Sequence, residues 1–192
     1  MPAPSTASQL LAALAQHLDK RGIPYMIIGG QAVLVYGEPR VTRDIDVTVG
    51  LTPDRFREIP PMAEAVGLTP LVDNPEAFSR QNFVAPYGHN LTGLRVDVIF
   101  SFTPYEQEAL RRVRSIPVGG VHVRFASPED VVIHKIFAGR PRDLEDARGI
   151  LAKNPTIDQG YVRRWLRELA DASDRPLEDN FATLVRELGL QH

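Results

Sequence analysis

Two neighbouring stretches restrict the fold of this chain more than any others: Tyr25-Met26-Ile27-Ile28-Gly29-Gly30 and Asp44-Ile45-Asp46-Val47. The first is a short apolar run ending in two glycines, which reads as a strand turning into a helix. The second alternates carboxylate and apolar side chain. On a strand, alternate residues point to opposite faces, so Asp44 and Asp46 share one face while Ile45 and Val47 enter the core. Two carboxylates side by side repel each other, and a divalent cation relieves that repulsion. Mg²⁺ suits such a pair, because it is a hard ion held by one or two carboxylates together with substrate phosphates. A glycine pair lets backbone approach a phosphate closely. Together these features predict an enzyme that handles nucleotides.

The remaining pattern organises around this core. Ser8–Lys20 carries Leu10, Leu11, Leu14 and Leu18 at helical spacing and stops at Gly22-Ile23-Pro24. We expect a strand over 25–28, a helix over 31–36 and a strand over 45–49. Two short helical pieces, broken by Pro60-Pro61, are expected over 53–66. Residues 70–92 are rich in Pro, Gly, Asp and Asn and read as loops with weak edge strands. Leu94–Phe100 reads as a strand with Asp97 at its centre, 103–113 as a helix, and 116–125 as a hairpin around Gly119-Gly120. Ser127-Pro128-Glu129-Asp130 is a strong helix start. From there the chain reads as helices over 128–138, 142–153, 158–171 and 177–188. The expected organisation is an α/β part, 1–126, with a helical part, 127–192, packed on it.

Composition narrows the setting. Apolar and charged contents of 43% and 24% are those of an ordinary globular protein. The absence of cysteine excludes disulfides and thiolate metal sites and fits a cytoplasmic location, which we expect. No apolar run reaches membrane-spanning length, so no membrane partner is expected. The net charge of −2 gives no general attraction to nucleic acid, yet 19 of the 22 basic residues are arginine. Those at Arg111/Arg112/Arg114, Arg140/Arg142 and Arg163/Arg164/Arg167 form clusters that could track phosphates. His17, His89, His122 and His192 show no ligand spacing. His134 reads as packed or solvated, not catalytic, and Trp165 as part of the apolar stripe of a C-terminal helix.

Asp97 lies in Val96-Asp97-Val98-Ile99-Phe100, where an ionised group is costly unless paired or bound to a metal. If its strand adjoins that of Asp44 and Asp46, three carboxylates converge in the arrangement used for two-metal nucleotidyl transfer. In this order, strand–Gly-Gly–helix, Asp-x-Asp and a third acid on a later strand, the chain resembles the DNA polymerase β-like nucleotidyltransferases. That resemblance implies an α/β (α+β) core with a mixed sheet, followed by a C-terminal helical bundle. Arg40-Val41-Thr42-Arg43-Asp44-Ile45-Asp46, and the run from Ser127 through Lys135 to Asp146, are similar to the AbiEii-type toxins, which include the MenT group. One departure is Gly30, which stands where many relatives have a serine contacting phosphate.

The same resemblance implies roles for individual residues. Asp44, Asp46 and Asp97 hold Mg²⁺, or Mn²⁺ in its place, and Asp97 completes the second metal site or acts as general base. Gly29, Gly30, Thr42 and Arg43 meet the nucleoside triphosphate. Lys135 meets its phosphates, and an acid of the next helix, Asp146 or Asp143, completes the constellation. The implied activity is that of a toxin of a toxin–antitoxin system. It moves a nucleoside monophosphate from an NTP to an acceptor hydroxyl, with the 3′ end of tRNA as acceptor and a cognate antitoxin as partner. The alternative is an enzyme that modifies antibiotics or AMPylates a protein, in the latter case as an antitoxin.

Overall fold

The computed structural model describes residues 4–173 and 175–190, so His192 lies outside the described residues. Contacts divide the chain into two compact units: residues up to Gln31 with Thr42–Phe125, and Ala32–Val41 with Ala126 onwards. The first unit begins with α1 (Ala7–Lys20) and β1 (Tyr25–Ile28), after which α2 (Gly29–Tyr36) crosses the boundary between units. It continues through β2 (Asp44–Val49), a 3₁₀ turn (Pro53–Glu58), α3 (Pro60–Ala65) and β3 (Leu68–Pro70). Next come α4 (Pro75–Asn82), β4 (Val84–His89), β5 (Leu94–Phe100), α5 (Pro104–Arg111) and the hairpin β6 (Arg114–Val118) and β7 (Val121–Phe125).

The seven strands among the described residues form one mixed sheet in the order β3-β4-β5-β2-β1-β7-β6. At its centre β2 runs antiparallel to β1 and parallel to β5. Ile27 of β1, Ile45 and Val47 of β2, and Val96 and Val98 of β5 are completely buried, so the middle strands are fixed by an apolar face that a one-residue slip would invert. Helix α1 lays its expected stripe, Leu10, Leu11, Leu14 and Leu18, inward and packs on β6 and β7. The break at Pro60-Pro61 separates a 3₁₀ turn from a short helix, as the sequence predicts.

Residues 70–92 differ from expectation. Asn74 accepts a hydrogen bond from the Ala77 backbone N–H as N-cap, and Pro75 opens α4, so Asp73-Asn74-Pro75 starts a helix and does not merely turn the chain. β4 is no edge strand, since it pairs with both β3 and β5. It tolerates Pro86 because a strand residue's N–H and C=O point the same way, and the Pro86 carbonyl accepts from Leu71, beyond the last residue of β3. The missing N–H therefore costs no bond to β5.

The second unit holds α6 (Pro128–Ala138), α7 (Pro141–Lys153), α8 (Gln159–Ser173) and α9 (Leu177–Glu187). Ser127 caps α6, and Gly139 closes it in the left-handed region at φ 68°. Helix α6 contacts α7, α8 and α9 and buries Val131, Val132, Ile133 and Ile136. Trp165 is buried, as the stripe reading requires.

Candidate active site

The apolar face of β2 and β5 dictates what lies on the other. With Ile45 and Val47 turned inward, Asp44 and Asp46 face outward, Asp44 exposed and Asp46 partly so. β5 pairs with β2 so that Asp46 lies opposite Asp97 and Asp44 opposite Arg95. Opposed residues of adjacent parallel strands point the same way at a spacing of about 4.8 Å. The sheet therefore brings Asp44, Asp46 and Asp97, far apart in sequence, onto one patch.

That patch contains a fourth member which the acidic motif does not include. Arg95 Nε donates to both carboxylate oxygens of Asp97, at 2.8 and 3.0 Å. Its hydrogen bonding to Asp97, with the added fields of Asp44 and Asp46, holds the Arg95 guanidinium even more firmly charged than usual. The sequence carries a signal for this, because Arg95 and Asp97 are two apart on a strand and so share a face.

The glycines account for the other side of the patch. Gly29 is the first residue of α2 and has φ +61°. A Cβ built on it would lie 1.9 Å from Asp46 Oδ2, so the Asp46 carboxylate rests over the bare Cα at the helix N-terminus. Gly30 follows as the buried second residue of α2, and the Gln31 side-chain amide donates to the Asp44 carbonyl at 3.3 Å. Thr42 lies ahead of β2, and its hydroxyl makes a long 3.4 Å contact with the Asp44 carbonyl. Arg43 is exposed, and its carbonyl accepts from the Arg95 backbone N–H.

The donor chemistry of the three carboxylates fits Mg²⁺ or Mn²⁺: hard, anionic oxygens on a rigid support. Their arrangement is not yet that of an ion site. Among the described residues, no three His, Cys, Asp or Glu side chains are gathered closely enough to hold a metal ion. Asp97 is turned onto Arg95, and Asp46 lies against Gly29.

Lys135, Asp143 and Asp146 meet in the second unit. Lys135 Nζ on α6 lies 2.8 Å from Asp143 Oδ1 and 2.9 Å from Asp146 Oδ2, both on α7. Arg40 clamps Asp146 with Nε and Nη2 at 2.9 and 3.0 Å, and Arg140 Nε donates to Asp143 Oδ2 at 2.5 Å. Burial pushes the Asp143 pKa up, but the hydrogen bonds from Arg140 and Lys135 prevail and hold it below the usual value. Both acids thus engage the lysine, whose charge is already balanced by carboxylates. The Arg40 contact could not be read from sequence, because its partner lies more than a hundred residues away.

His134, next to Lys135, has a ring Nε2 shielded from solvent, and burial with the nearby Lys135 charge lowers its pKa to about 4. Several arginines of the expected phosphate track are tied to local acids. Arg111 pairs with Glu108, and Arg163 and Arg167 both reach Glu178.

A family profile described as "nucleotidyltransferase of unknown function (DUF6036)" matches residues 5–175. No curated protein sequence matches the chain. Solved structures do share its fold. The antibiotic-resistance factor ANT(2'')-Ia superposes with a TM-score of 0.62 at 17% identity, over 87% of this chain and 94% of the other. An antigenic nucleotidyltransferase-like protein from Paracoccidioides brasiliensis gives 0.56 at 19% identity, over 95% and 94%. The lincosamide antibiotic adenylyltransferase LnuA, solved with lincomycin, gives 0.54 at 14% identity, over 77% and 98%. The mixed α/β architecture is thus that of the polymerase β-like nucleotidyltransferases.

Proposed function

The chain belongs to the DUF6036 family of nucleotidyltransferases, and on that premise we propose that it transfers a nucleoside monophosphate from an NTP to an acceptor hydroxyl, using Asp44, Asp46 and Asp97. The observation that carries this reading is the register of two parallel strands, which sets Asp46 opposite Asp97 with Asp44 on the same face. In the reaction the acceptor oxygen forms a bond to the α-phosphorus, the bond from that phosphorus to the β-phosphate bridging oxygen breaks, and pyrophosphate leaves. Asp44 and Asp46 would hold the divalent ion; Asp97, once released from Arg95, would complete the metal site or take the hydroxyl proton. Such an ion, when bound, neutralises charge on the triphosphate and on the attacking and leaving oxygens. Gly29 makes room for the Asp46 carboxylate at the N-terminus of α2, and in this reading the N–H groups there meet a phosphate oxygen. Gly30 adds a second residue without a side chain there, in place of a serine contact. Thr42 and Arg43, immediately before β2, would meet the triphosphate in this reading.

In this reading Lys135 is a phosphate-contacting lysine, oriented by Asp143 and Asp146 of α7. For the acceptor we favour the 3′ end of tRNA and a toxin role with a cognate antitoxin. The support is the similarity of Arg40–Asp46 and Ser127–Asp146 to AbiEii-type toxins. A second reading draws on ANT(2'')-Ia and LnuA, whose fold this chain shares: an antibiotic hydroxyl as acceptor. AMPylation of a protein, as an antitoxin, belongs to the same alternative. Incubation with each α-labelled NTP and Mg²⁺, with total tRNA and candidate antibiotics as competing acceptors, separates them. Labelled tRNA supports the toxin reading, and label on an aminoglycoside or lincosamide with none on tRNA overturns it.

A further inference from the structure

Arg95 is placed where a metal-binding patch has least use for a cation. It stands opposite Asp44 on β2, two residues from Asp97 on its own strand, and its Nε engages both oxygens of Asp97. On its other side β4 presents Gly88, which has no side chain to contribute. The Arg95 side chain is 52% exposed, whereas that of Asp97 is only 19% exposed. An ion pair so open to solvent adds little to folding stability. A divalent ion bound to Asp97 would have to share its oxygens with the Arg95 Nε–H and sit beside a like charge.

We propose that Arg95 is the site's internal counter-cation: it pairs Asp97 in the metal-free enzyme, and a divalent ion has to displace it before the three carboxylates can act together. This rests on the reading of Asp44, Asp46 and Asp97 as the metal-holding acids. Arg95 is here a positioning residue. It restrains the carboxylates at low metal concentration and, once displaced, is free to turn into solvent or toward an anionic substrate.

The test is Mn²⁺ binding to the full-length protein without nucleotide, followed by the loss of the free-ion electron paramagnetic resonance signal. It compares the wild type with Arg95→Gln, Arg95→Lys, Asp97→Asn and the Arg95→Gln/Asp97→Asn double variant. Removing a half-exposed competing charge should tighten Mn²⁺ binding roughly two- to fivefold in Arg95→Gln. Arg95→Lys should fall between it and the wild type, with thermal midpoints unchanged. In the Asp97→Asn background the gain should vanish, because Arg95 has no carboxylate left to guard. An Arg95→Gln affinity equal to or weaker than wild type overturns the proposal, as does an equal gain with and without Asp97. If neither wild type nor Arg95→Gln binds Mn²⁺, even with an NTP present, the metal-dependent reading falls together with it.

Discussion

Gly29 unites backbone requirement and site chemistry. Its φ of +61° disfavours any L side chain, and a Cβ there would collide with the Asp46 carboxylate. Gly29→Ala should therefore cost about 1–2 kcal/mol in the left-handed conformation alone. By pushing Asp46 aside it should also lower turnover far more than stability, which kinetics alongside chemical denaturation will show. Asp46→Asn or Asp97→Asn should lower kcat by on the order of a thousandfold while leaving the thermal midpoint near that of the wild type. His134 makes a separate prediction. Its folded pKa of about 4 lies below the unfolded value near 6.5, so the unfolded chain binds the extra proton first. Stability should decline as pH falls from about 6.5 toward 4, with a slope of up to ~1.4 kcal/mol per pH unit. Denaturant midpoints across that range should flatten in His134→Phe, and an unchanged slope would remove His134 as the cause.

Helices α6 and α7 are joined by a charge network that neither could bury alone. Lys135 lies between Asp143 and Asp146, with Arg40 and Arg140 completing their hydrogen bonds. Lys135→Met strips both carboxylates of a buried partner and should destabilise the protein by about 3 kcal/mol, the scale for breaking one side of a buried pair. Because Asp143 titrates below its ordinary value when folded, its contribution is present above the unfolded pKa and is lost as pH falls through the folded one. Acid unfolding should therefore begin at higher pH in Arg140→Ala, which removes one of the groups holding Asp143 ionised. Periodicity makes most elements legible, because caps and breakers such as Ser127-Pro128 and Pro60-Pro61 act within one turn. Helix α4 is masked by the same rule: Asn74-Pro75 suits both a loop and a helix start, and only the succeeding hydrogen bond decides. β4 escapes a sequence reading because Pro86 counts against an inner strand unless its nitrogen faces away from the ladder, which is a property of register.

In the molecule as a whole, the acids of the candidate site are readable because alternation fixes the face of each strand, and Asp44, Asp46 and Asp97 need only adjacency to meet. Their present partners are less readable. Asp97 on Arg95 follows from strand spacing that the motif overshadows, whereas Asp46 over Gly29 and Arg40 on Asp146 depend on contacts across the fold. Nucleotidyl transfer itself is the decisive measurement. Purified protein, Mg²⁺ and each α-³²P-labelled NTP are incubated with tRNA, candidate antibiotics or cell extract, and pyrophosphate and acceptor-bound label are counted together. The expected result is equal amounts of both in the wild type and near-background amounts in Asp46→Asn and Asp97→Asn. Equal transfer by all three proteins, or no pyrophosphate from any NTP with Mg²⁺ or Mn²⁺, would contradict the assignment of these carboxylates to catalysis.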